Sequence, residues 1–319
     1  MNNSTDNKQP FKSGFVAITG KPNAGKSTLL NNLAKMKLAI VSEKAQTTRH
    51  NIMYIHDVDN AQIIFRDTPG LHSPKNRLNE KMMEAARKAV GDSDLILLMI
   101  DATRPELNLT EIEFCRLAGL NNMPVYLVIN KVDKVRKENL LPVIHNFNNI
   151  YPFDEIFPIS AKAGIGITEL LDSIVSKLPE GPRYYPEDHL TDQTERELTS
   201  EYIRESILRF TSDELPHGTA VEIESFTEDF EEPKEPDSEK IRKMIRIKAV
   251  IFCERESHKK MLIGKNGETV KRIGTAARTK LEELLQCKIY LELFVKAKKD
   301  WRNDPLTLND LGYKIDKMK

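Results

Sequence analysis

The run Gly20-Lys21-Pro22-Asn23-Ala24-Gly25-Lys26-Ser27 has the spacing G-x-x-x-x-G-K-[ST], and those residue types at those intervals suit one task, the binding of a polyphosphate. Glycines leave room for the main chain to curl round phosphate oxygens, and the N–H groups of the loop and of the helix it opens can donate to them. Lys26 is placed to reach the β and γ phosphates and Ser27 to ligate Mg²⁺, with Gly20, Asn23, Ala24, Gly25 and Thr28 completing the cradle.

Later motifs choose the nucleotide. In Asp67-Thr68-Pro69-Gly70 the carboxylate can hold a Mg²⁺-bound water and the Gly70 N–H can sense a γ-phosphate. In Asn130-Lys131-Val132-Asp133 the last carboxylate can accept from N1 and N2 of guanine, a donor pair that adenine lacks. Ser160-Ala161-Lys162 can offer backbone N–H groups to guanine O6. Leaving a buried charged acceptor unpaired rejects the wrong base strongly, so the set specifies GTP. Lys26, Asp67 and Gly70 are the residues expected to act on it.

A different chemistry is written near the other end. In Ile263-Gly264-Lys265-Asn266-Gly267 the glycines let a nucleic-acid backbone approach the main chain, while Lys265 adds charge and Asn266 adds donors. Lys271 and Arg272 follow, and Ile263, Val270 and Ile273 are expected to shape an apolar groove floor. Charge supports a polyanionic partner: residues 1–179 carry 22 basic and 19 acidic side chains, residues 180–239 carry 5 and 19, and residues 240–319 carry 21 and 10. Nucleic acid is the first candidate for that basic end.

These motifs need elements to hold them. Apolar runs of strand length at 15–19, 63–65, 95–100, 125–129 and 156–159 alternate with helical spacing at 26–35, 76–90, 107–117, 136–149 and 167–178. The alternation predicts an α/β domain, a doubly wound, mostly parallel sheet with helices on both faces. Pro179, Gly181, Pro182 and Pro186 break the pattern. The expected organisation is a polar tail at 1–13, a nucleotide domain at 14–179, a linker at 180–193, an α+β domain at 194–300 and a tail at 301–319. The second domain reads as helix 195–210, strands 219–226 and 241–253, a short helix to 262, a longer helix to 285 and a strand at 288–295, an α-β-β-α-α-β order.

Hydrophobic residues at 39% and charged residues at 30% of 319 exclude fibrous and low-complexity classes. The longest apolar run has six residues, far short of the roughly 20 that span a bilayer. With no apolar signal core at the N-terminus, the expected location is the cytoplasm. Cys115, Cys253 and Cys287 are too few and too dispersed for a disulfide framework or a four-ligand zinc site.

Four ordered nucleotide motifs, each after a strand, resemble the P-loop GTPase family. Lys21-Pro22-Asn23 with Gln46-Thr47-Thr48-Arg49-His50 is similar to its Era branch, and the G-x-x-G loop in an α-β-β-α-α-β order resembles a type II KH domain. The resemblance covers about residues 14–300. It implies a GTPase making GDP and phosphate, with Thr48 as the switch residue closing on Mg²⁺ and Thr47 as the alternative. It also implies binding near the 3′ end of small-subunit (16S) ribosomal RNA and assistance to 30S assembly through the pre-30S particle, by a monomer. The resemblance further implies peripheral association with the inner face of the cell membrane, for which no lipidation motif or basic amphipathic helix here argues strongly. Leu71 stands where Ras-like relatives carry a water-orienting glutamine. Slow intrinsic turnover is therefore expected, with the missing function supplied by another switch residue, a backbone-held water, an RNA partner or a monovalent cation. Asn23 is read either as a K⁺ ligand, as in related GTPases, or as a loop-stabilising side chain. The competing function is an RNA-binding assembly module with structural or uncoupled nucleotide turnover. The acidic segment 227–239 reads as a solvated hairpin or loop, and Trp301 as a packing anchor or a base-stacking platform.

Overall fold

The computed structural model describes residues 10–42, 44, 47–71, 73–212, 215–231 and 241–313. They divide into two compact units, Met1–Ser73 with Met82–Asp192, and Pro74–Lys81 with Gln193–Lys319.

The first unit follows the expected alternation. In chain order it contains β1 (Lys12–Gly20), α1 (Lys26–Ala34), β2 (Ile52–Val58), β3 (Ala61–Asp67), α2 (Arg77–Gly91, whose first turns belong to the second unit), β4 (Leu95–Asp101), α3 (Leu109–Leu120), β5 (Val125–Asn130), α4 (Leu140–Asn148), β6 (Glu155–Pro158) and α5 (Ile167–Lys177). The sheet order is β2-β3-β1-β4-β5-β6. Every pairing is parallel except β2 with β3. Both faces are covered: α1 and α5 pack with Val16, Ile18, Leu97 and Val128 on one side, and α2, α3 and α4 with Ile96, Leu98, Leu127 and Ile129 on the other. Burial on both faces is why these strands read as unbroken apolar runs rather than alternating ones.

Parallel register puts the strand ends in line. Ile18 lies opposite Asp67, Gly20 opposite Met99, and Asp101 opposite Asn130. The loops leaving these C-terminal ends carry the nucleotide motifs, as the topology of open α/β sheets favours.

The structure adds a strand that the sequence reading lacked. β2 pairs antiparallel with β3 across the two-residue turn Asp59-Asn60, with Val58 opposite Ala61. Its outer edge is covered by the chain after α5: the Ile55 N–H donates to the Leu190 carbonyl at 2.9 Å, and Thr191 Oγ1 donates to the Met53 carbonyl at 2.7 Å. Buried Gln62 accepts from the Tyr184 and Tyr185 N–H groups and donates to the Tyr185 carbonyl. Residues 180–192, expected as a linker, thus belong to the first unit and satisfy a sheet edge that would otherwise be open. At the other end β1 starts at Lys12, inside the expected tail. The helix expected from 136 starts only at Leu140, after two short 3₁₀ turns.

The second unit contains α6 (Glu195–Phe210), β7 (Thr219–Glu231), β8 (Ile241–Cys253), α7 (Glu256–Ile263), α8 (Glu268–Leu285), β9 (Lys288–Ala297) and α9 (Pro305–Asp310). Thr194 and Glu197 close a reciprocal capping box at the start of α6. β7 runs antiparallel and β9 parallel to the central β8. Ile203 and Ile207 of α6, Leu262 of α7 and Ile273 and Ala277 of α8 form one core with Val221, Ala249 and Ile251 of the sheet.

One expectation is overturned here and two open readings close. Residues 301–313 are not a loose tail: Trp301 is fully buried with its indole N–H donating to the Gly218 carbonyl at 3.0 Å, and α9 buries Leu308. Trp301 is a packing anchor, not a stacking platform. Of the two readings of the acidic segment, the hairpin holds as far as residue 231. There it is β7, and Glu228, Asp229 and Glu231 pair with Arg242, Arg246 and Lys243 of β8. Opposite charges on adjacent strands explain the arrangement. Residues 232–239 of that segment lie outside the described residues.

Candidate functional site

Backbone shape at the phosphate loop is set by two glycines. Gly20 has φ +136° and Gly25 φ +105°; a Cβ on the first would strike the Met99 carbonyl and on the second Asn130 Nδ2. Only glycine meets both demands. Asn23 takes φ +65° between them, a conformation asparagine tolerates better than most residues. The loop hands over to α1 at Lys26, whose ammonium is buried and donates to the Gly20 and Lys21 carbonyls at 3.0 Å each. Burial lowers its proton affinity from the usual lysine value, while the Asp67 and Glu111 carboxylates oppose that shift.

Ser27, Thr48 and Asp67 converge beside it. Ser27 Oγ donates to Asp67 Oδ2 at 2.7 Å and lies 2.9 Å from Thr48 Oγ1, which is 3.4 Å from the same carboxylate oxygen. Asp67 Oδ1 is buried without a hydrogen-bond partner. Burial raises the Asp67 carboxyl to about 6, against the lowering effects of Lys26, Ser27 and Thr48. Three hard oxygens with one carboxylate lone-pair set unspent fit Mg²⁺, which takes few protein ligands and keeps several waters. Thr47 turns away, its hydroxyl donating to the Lys44 carbonyl at 2.6 Å. Gln46 lies outside the described residues.

Gly70 packs on the phosphate loop, where a Cβ would come within 2.9 Å of the Pro22 backbone nitrogen. The next N–H, of Leu71, donates to the Gly20 carbonyl at 3.1 Å, and the Leu71 side chain is buried among Ala17, Met83 and Val90. Position 71 therefore supplies a core anchor and no polar group.

At the base end, Asn130 spans two loops. Its Nδ2 donates to the Ala24 carbonyl at 2.7 Å and its Oδ1 accepts from the Ala161 N–H at 2.9 Å. The Ala161 N–H, expected to face guanine O6, is thus committed to Asn130 in this structure. Asp133 accepts from Ser160 Oγ at 2.6 Å, and Lys162 is exposed. Lys131, at φ +68°, is held by Asp101 at 2.6 Å. The sequence reading passed over Asp101, whose only signal was its place at the end of a strand.

In the second unit α7 ends at Ile263 and the Gly264-Lys265-Asn266-Gly267 loop makes one 3₁₀ turn into α8. Gly264, Asn266 and Gly267 have φ of +73°, +51° and +78°. A Cβ on Gly264 would collide with Thr269, whereas Gly267 faces open space. Lys265, Asn266, Lys271 and Arg272 are exposed, Arg272 lying 4.9 Å over the Phe210 ring. Ile263 and Val270 are half-buried beside the loop, but Ile273 is fully buried in the core. Ile273, expected to shape a groove floor, belongs instead to the core of the unit.

Residues 15–131 match the family described as 50S ribosome-binding GTPase and residues 214–302 the KH domain family. GTPase Era of Syntrophus aciditrophicus is 46% identical over 306 residues, covering 95% of each chain. GTPase Era of Geobacter metallireducens is 46% identical over 304 residues, covering 95% of this chain and 98% of its own. The chain belongs to the Era GTPase family. Two solved Era structures superpose on it with a TM-score of 0.86, each covering 96% of this chain and all of the other. One, a variant from Aquifex aeolicus that is 40% identical, is bound to GDP and AlF4⁻. The other, 41% identical, is Era in complex with MgGDPNP and nucleotides 1506–1542 of 16S ribosomal RNA. Like its relatives this Era-family chain is a GTPase with a P-loop domain followed by a KH domain. Among its described residues no helix is long and apolar enough to cross a membrane.

Proposed function

We propose that this Era-family GTPase is a nucleotide-controlled RNA-binding switch that holds the 3′ end of small-subunit ribosomal RNA and assists assembly of the 30S subunit. The observation that carries the reading is the exposed Gly264–Gly267 loop at the start of α8, flanked by Lys265, Lys271 and Arg272, in a chain alike over nearly its whole length to an Era bound to 16S rRNA. Close backbone approach at the glycines with cations on either side suits a single strand gripped by its phosphates.

In the first unit the loop from Gly20 to Ser27 takes the GTP phosphates, with Thr28 continuing the helix N-terminus beneath them. Lys26 offsets the charge that grows on the β–γ bridging oxygen as water attacks the γ-phosphorus and that P–O bond breaks. Ser27 and Thr48 would hold Mg²⁺ directly and Asp67 through a bound water, and the ion when bound would neutralise phosphate charge. Asp133 accepts from guanine N1 and N2, Asn130 joins the base and phosphate loops, and Lys131, held by Asp101, completes the motif, with Ser160, Ala161 and Lys162 closing that side. Thr48 and Gly70 are the groups expected to respond to the γ-phosphate. Because Leu71 is committed to the core, orientation of the water falls to another group, and we assign a K⁺ held by Asn23 to that side of the site.

Replacing Lys265 and Asn266 together by alanine is expected to weaken binding of a 16S rRNA 3′-end oligonucleotide at fixed salt without changing GTP affinity. Unchanged RNA affinity would contradict the assignment of the groove.

A further inference from the structure

Glu111 is a fully buried carboxylate that none of the nucleotide motifs includes. It belongs to the first turn of α3, and half of its bonding is explained by that helix: Asn108 Oδ1 accepts from the Glu111 N–H at 3.0 Å, and Glu111 Oε2 accepts from the Asn108 N–H at 2.9 Å. This is a reciprocal capping box. The other oxygen serves a different element. Oε1 accepts from the backbone N–H of Lys21, the first variable residue of the phosphate loop, at 3.2 Å. The Lys21 side chain stays nearby, with Nζ 3.9 Å from Oε2 and donating to the Glu106 carbonyl at 2.9 Å.

We propose that Glu111 is a positioning residue for GTP binding and hydrolysis, pinning the entry to the phosphate loop at the Lys21 N–H so that the N–H groups after it face the phosphates before nucleotide arrives. A cap needs no buried charge, since an exposed glutamate caps equally well, as Glu197 does on α6. Burying a carboxylate is costly unless every acceptor site is used, and here the use that remains is the loop. A loop fixed in advance spends no binding energy on ordering itself. Glu111 also acts at a distance on Lys26, where its field favours the charged ammonium against burial. The proposal rests on the loop being the phosphate site, and failure of the unaltered protein to bind GTP would be the separate sign that this premise is wrong.

The test compares Glu111→Ala, Glu111→Gln and Asn108→Ala in the full chain, reading GDP and GTP affinity, turnover and thermal stability. Asn108→Ala breaks the cap and leaves the Lys21 contact. It is expected to lower stability and keep nucleotide affinity. Glu111→Ala is expected to lower affinity for both nucleotides about tenfold or more, the scale of one charge-assisted hydrogen bond. Glu111→Gln keeps an oxygen for Lys21 and is expected to recover part of that loss. Equal nucleotide affinity in Glu111→Ala and Asn108→Ala would reduce Glu111 to a helix cap and overturn the proposal. If Glu111→Ala does not fold, amide hydrogen exchange in the unaltered, nucleotide-free protein decides: protection at Lys21 supports the pin, and exchange at the open-loop rate overturns it.

Discussion

Asn130, the last residue of β5, donates to the Ala24 carbonyl of the phosphate loop at 2.7 Å and accepts from the Ala161 N–H at 2.9 Å. One buried amide thereby ties the phosphate-binding loop to the base-binding loop. Asn130→Ala leaves a buried carbonyl and a buried N–H unpaired, at a cost of about 1–3 kcal/mol for each such group. The expected outcome is lower stability in urea together with at least about tenfold weaker binding of both GDP and GTP. Weakened stability with unchanged nucleotide affinity would mean that the amide only braces the fold.

Trp301 makes a similar argument for the second unit. It is fully buried and its indole N–H is satisfied by the Gly218 carbonyl. Truncation to alanine is expected to cost about 3–5 kcal/mol, the usual price of an emptied aromatic site. Because it is the sole tryptophan of the chain, unfolding should be followed by circular dichroism rather than fluorescence. A midpoint within error of the unaltered protein would show that residues 301–313 are dispensable to the unit.

For Asn23 the account predicts a salt effect on rate. K⁺ is expected to accelerate GTP hydrolysis relative to Na⁺ at equal ionic strength, and Asn23→Ala to abolish the difference while leaving GDP bound. Equal rates in the two salts for the unaltered chain would remove K⁺ from the site.

Much of this was legible because the chemistry is local in sequence. Gly20 to Ser27, Asp67 to Gly70, Asn130 to Asp133 and Gly264 to Gly267 are contiguous runs, and each strand that carries a nucleotide motif is a buried apolar run that announces itself. What escaped is set by partners distant in the chain. β2 is a strand because β3 pairs with it and residues 190–191 cover its edge. Asp101 matters through Lys131 and Glu111 through Lys21, contacts that no spacing rule spans. Ile273 fits the helical stripe beside the G-x-x-G loop, yet helical period alone does not separate a groove floor from the core beneath it. The charge of the acidic segment was plain, but its pairing with Arg242, Lys243 and Arg246 depended on the strand register.

The central claim is that nucleotide controls RNA binding, which requires different contacts in the two nucleotide states. Its most direct test is the affinity, at one fixed salt concentration, of the GDP-bound and non-hydrolysable-GTP-bound protein for a single-stranded oligonucleotide of the 16S rRNA 3′ end, with a scrambled sequence as control. The account predicts sequence-specific binding whose strength differs between the two states. Specific binding of equal strength in both would contradict the switch and leave an RNA-binding assembly module with an uncoupled GTPase.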